Sequence, residues 1–328
     1  MSLWLRRLGA DVFGLGLVPQ TNPNLHSLLS IQYADEFFVD LREKVRTQRV
    51  LAAVSPDVVF HLAAQPLVRE GYREPIRTIE TNVLGTANLL ESIRTSGTSV
   101  RVIVVVTTDK VYESRSVDVP FTESDRLGGA DPYSSSKAAA EILADSYYRS
   151  YLAQNGVSLA TARSGNVIGG GDWARHRLIP DAIRAWQLGR TLLVRNPDSV
   201  RPWQHVLEPL CGYLLLAEKI WLEPEFSGAY NFGPNSSAAA SVEFVISKAS
   251  QAFDNAHFTV ENQTENRHEA TWLMLESSKA REVLGVRPRW SLGEAIERTV
   301  SWYKKLFNNC DAQQLCESDI SDYLSGVN

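Results

Sequence analysis

The stretch VIVVVTTDK, which runs from Val102 to Lys110, decides the fold of this chain. Its first five residues are all β-branched, which is typical of a central parallel strand that is covered on both faces. Polar residues follow without a break, so they lie at the carboxyl end of that strand. Open α/β sheets bind their ligands at this end of their strands. The stretch therefore predicts both an α/β fold and the position of a functional site.

Strand-like and helix-like segments alternate on both sides of this stretch. The alternation predicts a Rossmann-like, doubly wound parallel sheet of the α/β class. Residues 82–94, for example, are apolar at i, i+4 and i+7, the spacing of an amphipathic helix. The predicted strands are 11–17, 58–62 and 159–163, and the predicted helices are 3–8, 82–94 and 132–151.

The second half of the chain has a different composition, with most of the eight tryptophans and with loops rich in Gly, Pro and Asn. This change predicts a smaller second lobe. We expect residues 1–165 to form the sheet domain and residues 166–328 to form a substrate-binding lobe, some of whose segments pack back on the sheet. The polar residues after Phe307 predict a peripheral tail.

Composition excludes several classes of protein. The chain of 328 residues is 44% hydrophobic and 22% charged, an ordinary globular balance that excludes disorder, collagen and coiled coil. A net charge of −5 argues against binding to nucleic acid or to a membrane surface. Three scattered cysteines predict neither a disulfide framework nor a metal site. With no apolar run near the roughly 20 residues of a membrane span and no signal peptide, we expect a soluble cytoplasmic protein.

A phenol and an ammonium, Tyr133 and Lys137, lie one helical turn apart in the segment YSSSK. A free tyrosine titrates near 10, so it is a poor base at neutral pH. A cation one turn away favours the phenolate and lowers the tyrosine pKa. The alternative interpretation is a solvated helix face without a catalytic role.

Three groups that exchange protons or donate hydrogen bonds follow the central strand, namely Thr108, Asp109 and Lys110. Such neighbours can divide proton-transfer roles between them. The alternative is a turn that caps the next element. Because Tyr133 and Lys137 follow some twenty-odd residues later, we favour a catalytic site built from all five residues.

These residues resemble the extended short-chain dehydrogenase/reductases and, within them, the nucleotide-sugar 4,6-dehydratases of the CDP-glucose branch. HLAA at 61–64 and YxxxK at 133–137 specify only the wider superfamily. GNVIGGGDWA at 165–174 and RPWQHVLEP at 201–209 are more particular to that branch. So is Lys110, where the dTDP-glucose branch has a glutamate. The resemblance runs along nearly the whole chain.

The resemblance implies an NAD-dependent hydro-lyase that acts on a nucleotide sugar. Tyr133 would take the proton of the sugar 4-hydroxyl, and Thr108 would stabilise the 4-oxygen. Asp109 and Lys110 would assist the loss of water across C5 and C6, with the split between acid and base left open. Two alternatives remain: a nucleotide-sugar 4-epimerase, which does not need the Asp109–Lys110 pair, and a silent homologue that only binds a sugar nucleotide.

The same resemblance implies which residues contact the ligands. We expect no metal site. Asp40 would contact the adenine of NAD, although an exposed acid after a strand is an equal alternative. Asn82 would contact a ligand or hold a strand-end carbonyl. Gly169–Gly171 would cradle the diphosphate, or form a mere flexible loop. The implied cofactor-binding residues are Asp40, Leu41, Leu62, Ala63, Ala64, Gln65, Asn82, Thr107, Tyr133, Lys137 and Arg163. The implied substrate-binding residues are Gln65, Arg69, Thr108, Asn166, Arg195, Arg201 and His205, with Arg201 as the main phosphate clamp.

One feature of the family is missing from this sequence. Members open with a strand and a GxxGxxG turn that binds the cofactor pyrophosphate, whereas the first residues here correspond to the following helix. The missing strand is central in the doubly wound order, so its absence predicts a gap of roughly 9–10 Å in the sheet. Either the sequence starts too late, which we favour, or it is a truncated paralogue. We expect weak NAD binding and low activity.

The resemblance also implies a homodimer or homotetramer. Family members pair the two helices predicted at 82–94 and 132–151 into a four-helix bundle. Apolar Leu84, Leu89, Ile142 and Leu143 fit that bundle, and they equally fit internal packing. The expected role is in deoxysugar biosynthesis, such as that of the lipopolysaccharide O-antigen.

Overall fold

The core of the protein is a parallel sheet of four strands in the order β10-β5-β4-β3. The computed structural model describes residues 1–31, 33–115, 117–235, 239–254, 256–260 and 272–326. The predicted α/β fold with a parallel sheet is confirmed. The four strands are β3 (Val58–His61), β4 (Val102–Val106), β5 (Ser158–Ser164) and β10 (Gly228–Phe232).

Strand β4 lies in the interior of the sheet, and its residues 102–105 are at most 1% exposed. Successive side chains point to opposite faces. Ile103 and Val105 therefore pack into one hydrophobic cluster, with α3, α6 and α7. Val102 and Val104 pack into another cluster on the opposite face, with α9 and α11. The prediction of a strand covered on both faces is correct. These helices are α3 (Lys44–Val54), α6 (Gly85–Thr95), α7 (Pro132–Tyr147), α9 (Leu207–Leu222) and α11 (Ser278–Leu284).

The sheet is interrupted at the edge of β3 that faces away from β4. Strands β1 (Phe13–Gly16) and β2 (Asp35–Phe38) form a separate parallel pair. Among the described residues, β1 is paired with β2 alone and β3 with β4 alone. The interruption lies where the sequence pattern placed the missing strand.

A third hydrophobic cluster is built on helices α8, α10 and α12. Three short strand pairs lie beside it, namely β6 with β9, β7 with β12 and β8 with β11. The strands are β6 (Val167–Ile168), β7 (Leu192–Val194), β8 (Val200–Arg201), β9 (Gln204–His205), β11 (Ala240–Ser241) and β12 (Phe258–Val260). The remaining helices are α1 (Ser2–Arg7), α2 (Leu25–Leu28), α4 (Val68–Arg73), α5 (Pro75–Ile79), α8 (Leu178–Gln187), α10 (Val242–Ala252), α12 (Leu292–Phe307) and α13 (Ala312–Ser325).

The prediction of a peripheral tail after Phe307 is wrong, because these residues form α13 and reach the core. Tyr323 is 1% exposed. Its hydroxyl donates to Glu208 at 2.8 Å, and its ring packs edge-on against Trp4 and Trp290. The apolar residues of this polar segment recur at helical spacing, which is the signal that its composition obscured. Within the described residues, no helix is long and apolar enough to cross a membrane.

Candidate active site

Helix α7 carries Tyr133 and Lys137, and its first turn is fixed by the sequence. Asp131 caps the helix by accepting hydrogen bonds from the backbone N–H groups of Tyr133 and Ser134 at 2.9 and 3.0 Å. Pro132 occupies the first helical position, where no N–H is needed. Tyr133 is 8% exposed and Lys137 is 5% exposed. The two residues therefore lie on a buried face, which rules out the solvated-face interpretation.

The side chain of Lys137 is attached to the end of the central strand. Its Nζ donates to the backbone carbonyl of Val106 at 2.8 Å. Burial lowers the pKa of Lys137 to about 8, and the negative charge of Glu141 partly offsets that effect. The lysine is therefore held between α7 and β4.

The pKa of Tyr133 differs from the sequence prediction. Burial raises it to about 12, while a hydrogen bond with Thr108 and the positive charge of Arg177 partly offset that rise. The predicted lowering by Lys137 is wrong for this structure. Desolvation of the phenol outweighs the nearby charges, and the Lys137 ammonium donates a hydrogen bond to the Val106 carbonyl.

The residues after β4 form a short 3₁₀ turn that joins three functional groups. The Thr108 hydroxyl donates to Asp109 Oδ1 at 2.9 Å, and Lys110 Nζ donates to the same oxygen at 2.9 Å. Thr108 also caps the turn by accepting from the Lys110 backbone N–H at 3.4 Å, so the capping interpretation holds as well. Asp109 is 0% exposed, and its Oδ2 has no hydrogen-bond partner among the described residues.

A cavity of about 420 Å³ brings these elements together. Thr108, Lys110 and Tyr133 line it. Asp109 is outside the lining and is reached from the cavity through its partner Lys110. Groups from the end of β4 and from α7 therefore open onto one space, large enough for a small-molecule ligand.

Four arginines from separate segments also line the cavity, namely Arg69, Arg177, Arg195 and Arg201. Arg201 is buried, and its Nη1 donates to the Val200 carbonyl at 2.8 Å. Asn166 lines the same cavity. The predicted residues Arg69, Asn166, Arg195 and Arg201 thus lie together, although their contacts with a substrate remain predictions.

Arg177 was missed at the sequence level. It lines the cavity, forms an ion pair with Asp172 at 3.1 Å, and lies near enough to Tyr133 to lower its pKa. The available signal was the basic cluster Arg175-His176-Arg177 just before α8. Guanidinium groups match the oxygens of a diphosphate in pairs, so the cavity wall is chemically suited to a nucleotide sugar.

The side chains of Gln65 and Asn82 hold the loop after β3. The Gln65 amide bonds Leu67 and the hydroxyl of Thr78. Asn82 bonds both backbone groups of Gln65, at 2.8 and 3.1 Å, and the Ser136 hydroxyl at 2.9 Å. The Gln65 side chain therefore has protein partners, and its predicted ligand contact stays a prediction. For Asn82, the structure favours the strand-end alternative.

Three further predicted residues have side chains that face the interior, and their ligand contacts stay predictions. Arg163 is ion-paired with Glu141, and the Thr107 hydroxyl donates to the same carboxylate. His205 is 2% exposed and outside the cavity lining, with Trp290 packed edge-on against its ring. Burial lowers the pKa of His205 to about 3, so it is neutral. Its predicted substrate contact and the cofactor contacts of the other two lack a side chain that faces the cavity.

The remaining predicted cofactor residues lie at strand ends. Asp40 follows β2, and its carboxylate accepts from the Arg42 guanidinium at 2.7 Å, which holds the pKa of Asp40 below its usual value. Leu62 is 45% exposed after β3, and Ala63 and Ala64 are half-buried beside it. Leu41 is 7% exposed, and its predicted cofactor contact stays a prediction.

The glycine run at 169–171 packs against side chains. A Cβ at Gly169 would lie 2.6 Å from the Val206 side chain, and a Cβ at Gly170 would lie 2.1 Å from the Trp302 ring. Gly171 has φ +84°, a backbone conformation that favours glycine, and a Cβ there would lie 2.6 Å from the Leu25 side chain. Of the three, only Gly169 is in the cavity lining. Close packing thus requires glycine at Gly170 and Gly171, and the predicted diphosphate cradle of backbone N–H groups stays a prediction.

Comparisons with known proteins identify the family of this chain. The family model for GDP-mannose 4,6 dehydratase matches residues 9–299. CDP-glucose 4,6-dehydratase of Salmonella typhimurium is 41% identical, over 100% of this chain and 93% of the relative. The UDP-glucose 4-epimerase structure from Thermotoga maritima has a TM-score of 0.78 at 21% identity, covering 93% of this chain and 94% of that one.

A dehydratase structure has the same fold. DesIV, a dTDP-glucose 4,6-dehydratase from Streptomyces venezuelae solved with NAD and DAU bound, has a TM-score of 0.76 at 24% identity, covering 92% of each chain. At these identities the two structures establish the fold, while the Salmonella relative and the family model establish the family. This chain belongs to the nucleotide-sugar 4,6-dehydratase family, a family of NAD-dependent hydro-lyases, and is a homologue of CDP-glucose 4,6-dehydratase.

Proposed function

We propose that the chain is a CDP-glucose 4,6-dehydratase, which converts CDP-glucose to CDP-4-keto-6-deoxyglucose and water. The observation that carries the proposal is the shared cavity, onto which Tyr133 of α7 and Thr108 and Lys110 of the β4 end all open. The identity of 41% with the Salmonella enzyme supports CDP-glucose as the substrate.

The cavity wall supports the binding of a diphosphate next to these groups. Arg69, Arg177, Arg195 and Arg201 supply guanidinium groups to one cavity. A bidentate arginine–phosphate contact is stronger and more directional than a lysine contact. We propose that they bind the diphosphate and thereby place the hexose against Tyr133.

The residues fit the two ends of NAD. At one end, Tyr133 and Lys137 stand beside the strand ends of β3 and β4, where small Ala63 and Ala64 allow a close approach. At the other end, Asp40 presents a half-buried carboxylate after β2. The described residues contain no GxxGxxG turn for the pyrophosphate. When bound, NAD would supply the acceptor for the C4 hydride and the donor that returns it to C6.

We propose that side chains of the protein transfer the protons. Burial keeps Tyr133 protonated in the ligand-free chain, and the positive nicotinamide ring of bound NAD+ would favour its phenolate. We propose that this phenolate, with Thr108 beside it, accepts the proton of the 4-hydroxyl, and that the resulting 4-ketone acidifies the C5 proton. Lys110 is the member of the acid–base pair that lines the cavity, so it is the group placed to exchange a proton at C5 or O6. Asp109 accepts a hydrogen bond from it at 2.9 Å and keeps it in place.

The test uses the chain and a version extended at its N-terminus by a strand and a GxxGxxG turn. Each is incubated with CDP-glucose and NAD+, and CDP binding is measured by calorimetry. We expect CDP binding in both and a keto-sugar, detected by its absorbance in base, at a higher rate in the extended version. A galactose product would overturn the proposal in favour of an epimerase, and no product in either version would indicate a silent homologue.

We further propose a homodimer through α6 and α7. Leu84 is 52% exposed and Ile142 is 60% exposed, and exposed Ile76 and Ile79 extend the apolar surface. Leu89 is 4% exposed, so it belongs to the internal core instead. Exposed apolar side chains of this kind support an association surface.

The domain organisation and the biological setting also remain proposals. We propose residues 1–165 as the cofactor domain and residues 166–328 as the substrate lobe. Three cysteines without a disulfide support a reducing cytoplasm. A 4-keto-6-deoxy product suits deoxysugar biosynthesis, including that of the O-antigen.

A further inference from the structure

A buried ion pair, Glu141 with Arg163, lies behind the catalytic end of the sheet. Their side chains are 3% and 4% exposed. Arg163 Nε lies 2.9 Å from both carboxylate oxygens, and its Nη2 lies 2.5 Å from Oε2. Burying two charges is expensive, and replacing such a pair by apolar residues is often neutral or stabilising. Its contribution to stability is therefore a weak explanation for its presence.

The carboxylate of Glu141 connects α7 to two neighbouring strands, β4 and β5. Thr107, at the end of β4, donates to its Oε1 at 2.5 Å. Thr161, in β5, donates to its Oε2 at 3.1 Å. Together with Arg163 in β5, three donors from two strands meet one side chain of the helix. The contacts fix how α7 lies against the sheet.

The connection lies between the two halves of the catalytic apparatus. Glu141 follows Lys137 by one helical turn, on the same helix as Tyr133. Thr107 directly precedes Thr108, and Asp109 follows. A displacement of Glu141 would therefore change the separation between the groups of α7 and those of the β4 end.

We propose that Glu141 and Arg163 are a positioning pair, which sets Lys137 and Tyr133 at their working distance from Thr108 and Lys110. The inference rests on the proposed function for the meaning of that distance. Neither residue touches the cavity, so both act through the groups they hold.

The charges around Lys137 give the pair a measurable effect. On its own helix, Lys137 faces Tyr133 and the carboxylate of Glu141, which raises its pKa against desolvation. From β3 it faces His61, whose pKa burial lowers to about 3, so that ring is neutral. From β4 it meets the Val106 carbonyl, and β5 brings Arg163 behind Glu141. Removing the carboxylate leaves an uncompensated positive charge near the lysine.

The test follows the lysine ε-CH₂ groups by NMR across a pH titration of the whole chain labelled with ¹³C-lysine. The chain has eight lysines, and Lys137→Arg assigns the signal. We expect a midpoint near 8 in the unaltered chain. In Glu141→Gln the midpoint should fall by about one pH unit, and in Glu141→Asp, which keeps the charge, it should stay near the original value.

Glu208→Gln is the matched control, because Glu208 is also a hydrogen-bonded glutamate at 4% exposure but lies in α9. It should lower the melting temperature without moving the Lys137 midpoint. An unchanged midpoint in a folded Glu141→Gln variant, or an equal shift in Glu208→Gln, would overturn the proposal. This readout does not depend on dehydratase activity, so it separates failure of the pair from failure of the proposed function.

Thr107→Val covers the case in which Glu141→Gln does not fold. This variant keeps both charges and removes one donor to the carboxylate. In the extended, NAD-competent version, we expect kcat with CDP-glucose to fall about 10-fold with little change in KM, the pattern of a lost transition-state contact. Unaltered kcat, or a rise confined to KM, would contradict a positioning role.

Discussion

Replacing Lys110 by methionine separates the two chemical steps that the cavity is proposed to perform. The substitution keeps the length of the side chain and removes the ammonium that donates to Asp109 Oδ1 at 2.9 Å. Tyr133, Lys137 and Thr108 are unchanged. The first step, oxidation at C4, retains its base, whereas the loss of water loses its acid–base partner.

The magnitudes follow from the burial of the pair. Asp109 is 0% exposed and Lys110 is 23% exposed. Leaving one member of a fully buried pair alone costs roughly 3–5 kcal/mol, and the partial exposure of Lys110 reduces this. We expect Lys110→Met to lower the free energy of unfolding by about 2 kcal/mol. Turnover should fall about 10²- to 10⁴-fold, the usual contribution of a general acid or base.

Two assays check these values in the extended version. Urea denaturation measures the free energy of unfolding, and absorbance of the reduced cofactor during single turnover reports the first step. We expect reduced cofactor to accumulate while the 6-deoxy product forms slowly. The double variant Asp109→Asn/Lys110→Met should recover stability without recovering turnover. A single variant that makes product at the original rate would refute the role of Lys110.

Three further predictions concern the tyrosine, the buried lysine and the glycine run. Tyr133→Phe should reduce turnover about 10²- to 10⁴-fold while CDP binding, measured by calorimetry, stays within about 3-fold. Because burial lowers the pKa of Lys137 from 10.5 to about 8, the folded chain binds fewer protons than the unfolded chain between these values. The free energy of unfolding should therefore gain a contribution as pH rises from about 8 to 10.5, and Lys137→Met should abolish that rise in pH-dependent denaturation. Gly170→Ala, whose Cβ would meet Trp302, should destabilise by about 1–3 kcal/mol in denaturation. Gly16→Ala, in open space, is its control and should change little.

The sheet and the chemical groups were predictable because they depend on local pattern. A β-branched run followed by polar residues marks a buried parallel strand and its functional end, and β4 with Thr108 and Lys110 fits that description. The Tyr133–Lys137 spacing requires only a helix. The interruption beside β3 followed from counting strands against the doubly wound order.

The partners of polar side chains were not predictable in the same way. The family resemblance implied cofactor contacts for Arg163 and Thr107, and the side chains of both bond Glu141. That carboxylate lies 22 residues from Arg163 in the sequence. Residue type and position give the chemistry of a group, but its partner is set by how helix and sheet meet. The same limit hid Arg177, whose position depends on a loop.

The interruption of the sheet bears differently on the two ligands. The cavity is lined by residues that follow β3 and β4, by Tyr133 of α7, and by residues from the segment 165–203 with Val242. Strands β3, β4, β5 and β10 form a continuous sheet with hydrophobic clusters on both faces. None of these elements needs β1 or β2 as a partner. Asp40, in contrast, follows β2, in a separate pair of strands. Substrate affinity therefore depends on the intact part of the sheet, whereas cofactor affinity depends on the alignment of its two parts. We therefore expect the N-terminal extension to raise the affinity for NAD and to leave the affinity for CDP unchanged.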